Sequence, residues 1–221
     1  LSNGKKPGTL SKVLFNYTLF AIAMAYLETT VVIYLRRLYY PGGFQFPMIA
    51  IPPHMALIEI GREAATLIML WFAARLSGRP FKERFTLFVF TFAVWDIFYY
   101  VWLKVLIHWP ASWLDWDILF LIPLPWIAPW LAPALISCAF IFAAVFILRF
   151  PERFSDKIFN IYGWLAEFVA AGLILISFFW QTGSVLRGGV PGYYPWWLLL
   201  IGLIIGLANF FIFFFGKKGS G

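Results

Sequence analysis

An all-α, polytopic membrane helix bundle with about six transmembrane helices is the fold class this sequence predicts, and three observations predict it. Hydrophobic residues make up 62% of the 221-residue chain, aromatics 22% and charged residues only 12%, about half the charged share of a soluble domain. A compact domain of this size cannot hide so much apolar surface from water. Six apolar segments reach the roughly 20 residues that a helix needs to cross a hydrocarbon core about 30 Å thick. Finally, the basic residues alternate between the connections in the way topology signals do.

The segments follow in order. Val13–Leu35 comes after the polar lead LSNGKKPGTLSK, and its apolar run is too long for a signal peptide. His54–Leu76, Phe85–Ile107, Leu131–Leu148, Ile158–Trp180 and Trp196–Phe215 complete the set. None alternates as a barrel strand would. No repeat or soluble module interrupts them, so residues 1–221 form a single integral membrane domain. Lys5, Lys6, Lys12, Arg75, Arg79, Lys82, Arg84, Arg149, Arg153, Lys157, Lys217 and Lys218 fall on one side, against Arg36, Arg37 and Arg187 on the other. Positive-inside logic then places both termini in the cytoplasm, and the expected location is a bacterial or archaeal plasma (inner) membrane.

The outer connections differ in kind, being rich in proline, glycine, tryptophan and tyrosine, a composition suited to the headgroup level. The stretch from Ile118 to Leu148 is nearly uncharged, too long for one span and too short for two. Pro123, Pro125, Pro129 and Pro133 forbid a regular helix through its first half. A re-entrant or surface segment on the outer side, leading into the fourth span, is therefore expected. Irregular backbone at membrane depth needs protein or water around it, which points to an outer cavity. Asp115 and Asp117, just before this stretch, read as a solvated loop.

Half of the ten acids lie within the spans: Glu28, Glu59, Glu63, Asp96 and Glu167, joined there by Arg62 and Lys104. A charge at a helix centre costs about 2.5–3.5 kcal/mol on insertion scales, so these groups should face one another or water. At about 1.5 Å of rise per residue, nearly all of them lie in the outer half, and Glu167 lies near the midplane. In HMALIEIGREAAT, Glu59, Arg62 and Glu63 share a helix face, and Gly61 is expected to permit a close approach. In WDIFYYVWLKVLIHW, Asp96, Tyr100, Lys104 and His108 recur every four residues, a stripe of proton-exchanging groups running toward the surface.

These residues define the candidates. Glu63 and Asp96 would act as general acid or base, Arg62 and Lys104 would hold an anionic headgroup or developing charge, and Tyr100 would assist. Glu28, Glu59, Glu167 and His108 would line a proton or cation path. The alternative for all of them is a set of structural ion pairs. No metal is favoured: His54, His108 and Glu59 are weak candidates, because no HExxH, ExxH or CxxC spacing occurs. Cys138 stands alone, so no intramolecular disulfide forms, and two histidines cannot ligate two haems. The sequence leaves the identity of any cofactor unknown.

The net charge of +7 lies in short clusters between apolar runs, which is topology rather than nucleic-acid binding. Membrane lipids are the expected partners, with self-association or a larger membrane complex also compatible. Gly202 and Gly206 form a GxxxG frame that suggests close helix packing, and the FFIFFF run after Asn209 reads as lipid-facing. Three function classes remain. The first is a membrane-embedded enzyme or binding protein for a lipid-like amphiphile with an outward-facing polar site. The others are a proton- or cation-coupled transporter or channel, which lacks inverted repeats, and a structural subunit of a larger membrane complex.

Overall fold

The computed structural model describes residues 7–155 and 161–215. Of these, 74% are helical. The topology markers Lys5, Lys6, Lys157, Lys217 and Lys218 lie outside the described residues, as do residues 158–160 of the fifth expected span. The elements are α1 (Pro7–Tyr39), α2 (Pro53–Arg75), α3 (Phe81–Ile107), β1 (Trp116–Ile118), β2 (Ile127–Pro129), α4 (Leu131–Arg149), α5 (Pro151–Ser155), α6 (Ile161–Phe179), α7 (Thr182–Leu186) and α8 (Trp196–Phe215).

Five helical stretches are long and apolar enough to cross a membrane: Leu10–Tyr39, Phe81–Ile107, Leu131–Arg149, Ile161–Leu186 and Trp196–Phe215. The second expected segment is also a helix, of 23 residues. It stands outside the five because Glu59, Arg62, Glu63 and Arg75 dilute its apolar character. Its remaining surface is still oily, with Leu57, Ile58, Ile68, Met69 and Phe72 exposed.

Proline and glycine chemistry sets the helix ends. Pro53 opens α2 at a position whose N–H would have no partner, and Pro133 sits in the first turn of α4, where it is equally tolerated. At the far end of α3, His108 turns left-handed (φ 57°) and donates its N–H to the Lys104 carbonyl. This αL cap stops the helix, and Pro110 prevents its resumption.

The core forms around α3 and α4. Ala21, Met24 and Ala25 of α1 recur on one helix face and pack against Phe90, Val94 and Trp95 of α3, with Leu70 of α2 and Ala144 of α4 completing the cluster. A second cluster joins Ala128, Ala132, Ile136, Phe178, Tyr194 and Leu199. Helix α4 is thus the wall shared by an α1–α3 group and the α6/α8 pair.

The GxxxG frame does seat α8 against α6. A Cβ on Gly202 would lie 2.8 Å from both the Ala170 carbonyl oxygen and Ile174 Cγ1, and one on Gly206 would lie 3.6 Å from Glu167 Oε2. Gly202→Val must push backbone from backbone, so it should cost about 1–3 kcal/mol. Thermal unfolding in detergent reads this directly, and an unshifted midpoint would refute the close-packing argument. Gly61 behaves differently from expectation: nothing lies within 4 Å of a Cβ placed there, because that side of α2 is turned outward. The FFIFFF run is split as well. Phe210 and Phe214 are buried, whereas Phe211, Ile212 and Phe215 are exposed, since a helix cannot aim a continuous run in one direction.

The proline-rich connection folds as a small antiparallel hairpin, pairing Trp116 with Pro129, Asp117 with Ala128 and Ile118 with Ile127. Leu119 N–H to Trp126 O and Trp126 N–H to Phe120 O extend it. Backbone that proline denies to a helix is therefore satisfied across two strands. Ile127 and Ala128 are fully buried. Contacts of this hairpin region with Arg36, Phe44, Thr182 and Tyr194 gather the three connections 40–52, 108–130 and 181–195 at one end, the hairpin end.

Candidate functional site

Glu28, Glu59 and Arg62 meet as a polar frame, and Glu63 beside them reaches the hairpin loop. Arg62 lies one helical turn from Glu59 and donates Nε to its carboxylate at 2.8 Å. Its Nη1 binds Glu28 on α1. Thr66, one turn further along α2, donates its hydroxyl to the other Glu28 oxygen at 3.1 Å. Spacings of three and four residues put Glu59, Arg62, Glu63 and Thr66 on the α2 face that meets the bundle. Glu63 takes no part in the arginine's fork; both its oxygens accept the Leu121 backbone N–H, at 3.1 and 2.9 Å. A helix carboxylate thereby holds the hairpin loop in place.

The stripe on α3 separates into different environments. Asp96 accepts a hydrogen bond from the Ser137 hydroxyl of α4 at 2.8 Å. Tyr100 is buried between the Trp109 and Trp130 rings, at 6.3 and 5.5 Å. Lys104 is exposed and donates to the Pro110 carbonyl at 2.8 Å. His108 lies past the end of the helix, its αL turn carrying it off the stripe. Among the described residues no hydrogen bond joins these four side chains to one another. Glu167 stands apart on α6, where Asn209 of α8 donates to it at 2.8 Å and to the Gly163 carbonyl at 3.1 Å.

His54 and His108 are both exposed. Among the described residues, no group of three or more histidine, cysteine, aspartate or glutamate side chains is arranged to hold a metal ion.

Asp117 overturns the reading of residues 115 and 117 as a solvated loop. It is 2% exposed and binds Arg36 of α1 at 2.8 Å. The Arg36 guanidinium is roofed by aromatic rings, 3.9 Å from the Trp109 centroid and 4.5 Å from that of Phe44. Burial pushes the Asp117 carboxyl above its ordinary value, against the opposing pull of Arg36 and of the Ile118 N–H. Tyr100 is close enough to favour the anion, yet Oδ2 has no hydrogen bond of good geometry. Asp115 is committed as well, accepting the Ala111 and Ser112 N–H groups at 2.7 and 3.0 Å. Arg36, Thr66, Asp117 and Ser137 carry no site signal in the sequence. Their partners lie 81, 38, 81 and 41 residues away, distances at which no local pattern operates.

A groove of about 510 Å³ lies between α3 and α4, bounded by the 110–113 turn. Ile97, Val101, Val105 and Ala134 make its apolar floor, and Tyr100, Lys104, Ser112, Trp113 and Trp130 stand around it. The Trp113 and Trp130 rings stack at 5.5 Å, and Trp130 Nε1 is fixed on the Ser112 carbonyl at 2.8 Å. Of the sequence-derived candidates, Tyr100 and Lys104 reach this groove; Arg62, Glu63 and Asp96 do not line it.

Fold and site together define a class: a multi-pass helical protein whose five long apolar helices suit residence in a membrane. No protein-family model, curated protein or solved structure matches the chain, so the functional reading rests on the geometry.

Proposed function

We propose that this protein binds a lipid-like amphiphile in the groove between α3 and α4. In this reading α2 is a sixth span and the hairpin end lies on the outer, non-cytoplasmic face of a plasma membrane. The basic residues Arg75, Arg79, Lys82, Arg84, Arg149 and Arg153 at the opposite end support that orientation. The observation that carries the proposal is the groove's lining: an apolar floor on two helices, with a lysine and stacked tryptophans near the hairpin end. Its volume falls within the roughly 300–1,000 Å³ range of small-molecule sites. Val101 and Val105 of its lining are themselves exposed, so an acyl chain can enter sideways from the bilayer.

Binding is favoured over catalysis by where the acids are spent. Arg62 is engaged with Glu28 and Glu59, Glu63 with a backbone amide and Asp96 with Ser137. These groups hold the scaffold. The same pairing favours, as a second reading, a structural subunit whose exposed aromatic surface meets other membrane proteins.

Filling the groove separates the two readings. Ala134→Trp should reduce lipid retained by the purified, detergent-solubilised protein about tenfold, counted by native mass spectrometry after delipidation and re-addition of a phosphatidylglycerol–phosphatidylcholine mixture. Its unfolding temperature should stay within a few degrees of wild type. Equal lipid retention by the variant, or no retained lipid in the wild type, would sink the binding proposal.

A further inference from the structure

Resting on that reading, we infer that the groove selects an anionic headgroup, that of a glycerophospholipid bearing one net negative charge, and that Lys104 is the residue that selects it. Among the described residues, Lys104 is the single charged side chain that lines the groove. The two nearest acids in sequence are held in contacts of their own: Asp96 accepts from the Ser137 hydroxyl, and Asp115 has its Oδ2 turned onto the Ala111 and Ser112 amides. Lys104 is therefore the charge that a headgroup in the groove would meet.

Lys104 is also held in place. Its Nζ donates to the Pro110 carbonyl at 2.8 Å and lies 3.5 Å from that of His108. Those carbonyls are where they are because the αL turn at His108 ends α3. An ammonium has three donors, so one remains for a ligand oxygen. Ser112 adds a second donor. Its Oγ accepts the Leu114 N–H at 3.3 Å, which leaves the hydroxyl hydrogen free to be given.

The rest of the groove fits the rest of the lipid. From Ile97 to Val105 the floor runs eight residues along α3, about 12 Å at 1.5 Å per residue. That is shorter than one leaflet of a core about 30 Å thick, so the groove takes the upper part of a chain and leaves the end in the bilayer. The Trp113–Trp130 stack lies beside Lys104, an amphipathic wall at the level where chain gives way to headgroup. Aromatic rings also attract quaternary ammonium groups, which makes phosphatidylcholine the informative competitor.

The test offers the delipidated full chain equal amounts of phosphatidylglycerol and phosphatidylcholine with identical acyl chains, and counts bound lipid by native mass spectrometry. Wild type should hold phosphatidylglycerol about tenfold over phosphatidylcholine, a ratio within reach of one charge-assisted hydrogen bond. Lys104→Gln should bring the ratio near one by lowering bound phosphatidylglycerol, with phosphatidylcholine still retained. Lys104→Arg should keep the preference, and added salt should weaken it. A wild-type ratio near one, a preference for phosphatidylcholine, or a Lys104→Gln ratio equal to wild type would overturn the inference. Each of these outcomes leaves lipid in the groove, whereas failure of the groove itself shows as no retained lipid or no effect of Ala134→Trp.

Discussion

Arg62→Leu is expected to cost about 3–5 kcal/mol, the range seen when one partner of a buried ion pair is removed. Arg62 is the cation shared by two acids on two helices, with Nε on Glu59 and Nη1 on Glu28. Both acids are buried, at 5% and 9% exposure. The substitution leaves two carboxylates facing an apolar side chain, and Thr66 reaches just one of them. Arg62→Lys keeps the charge but replaces a planar fork with a single point, so it should restore part of the loss and not all of it. The measurement is the unfolding midpoint of each variant in one detergent, with yield of folded protein as a second readout. A midpoint for Arg62→Leu within error of wild type would show that the frame does not hold α1 to α2.

How much of this frame the sequence reveals depends on the range of each interaction. The helices are legible because an apolar run is local, and α8 coincides with its expected segment, residues 196–215. The Glu59–Arg62 pair is legible for the same reason, since three residues make one turn. What escapes is whatever tertiary packing decides. Asp117 looks like a loop acid because its neighbours are tryptophans and a proline-rich run; its burial comes from Arg36, 81 residues earlier. The hairpin escapes because three-residue strands carry no periodicity long enough to read. His108 is misplaced by one backbone angle, the positive φ that ends α3 one residue before it. Glu63 is read for its charge, while its structural partner is a backbone amide that no side-chain pattern encodes. The groove follows the same rule: Val101 and Lys104 share a helix face by spacing, but Trp113, Trp130 and Ala134 join them through the fold.

Arg36→Ala should be as damaging as Arg62→Leu at neutral pH, and its pH dependence should set it apart. The substitution removes the 2.8 Å pair with Asp117 and the guanidinium's contacts with Phe44 and Trp109. Asp117 is then left buried and without a counter-ion, at an expected cost of about 3–5 kcal/mol. Even with Arg36 present, burial already holds the Asp117 carboxyl above its ordinary value. A folded-state value above the unfolded one means that the folded protein binds the proton more tightly. The associated stability is complete below the unfolded value, about 3.9, and is lost as pH rises through the folded one. Without Arg36 the folded value moves higher still, so the penalty in Arg36→Ala should shrink as the solution is acidified and Asp117 takes up its proton. Arg36→Ala/Asp117→Asn mimics that protonated state, so it should recover a large part of the Arg36→Ala loss at pH 7 and show a flatter stability profile between pH 4 and 7. Unfolding midpoints of the three proteins across that range decide the matter. If Arg36→Ala/Asp117→Asn lost as much as Arg36→Ala at pH 7, the loss would not come from the stranded Asp117 charge, and the account of Asp117 as an anion strained by burial would fail.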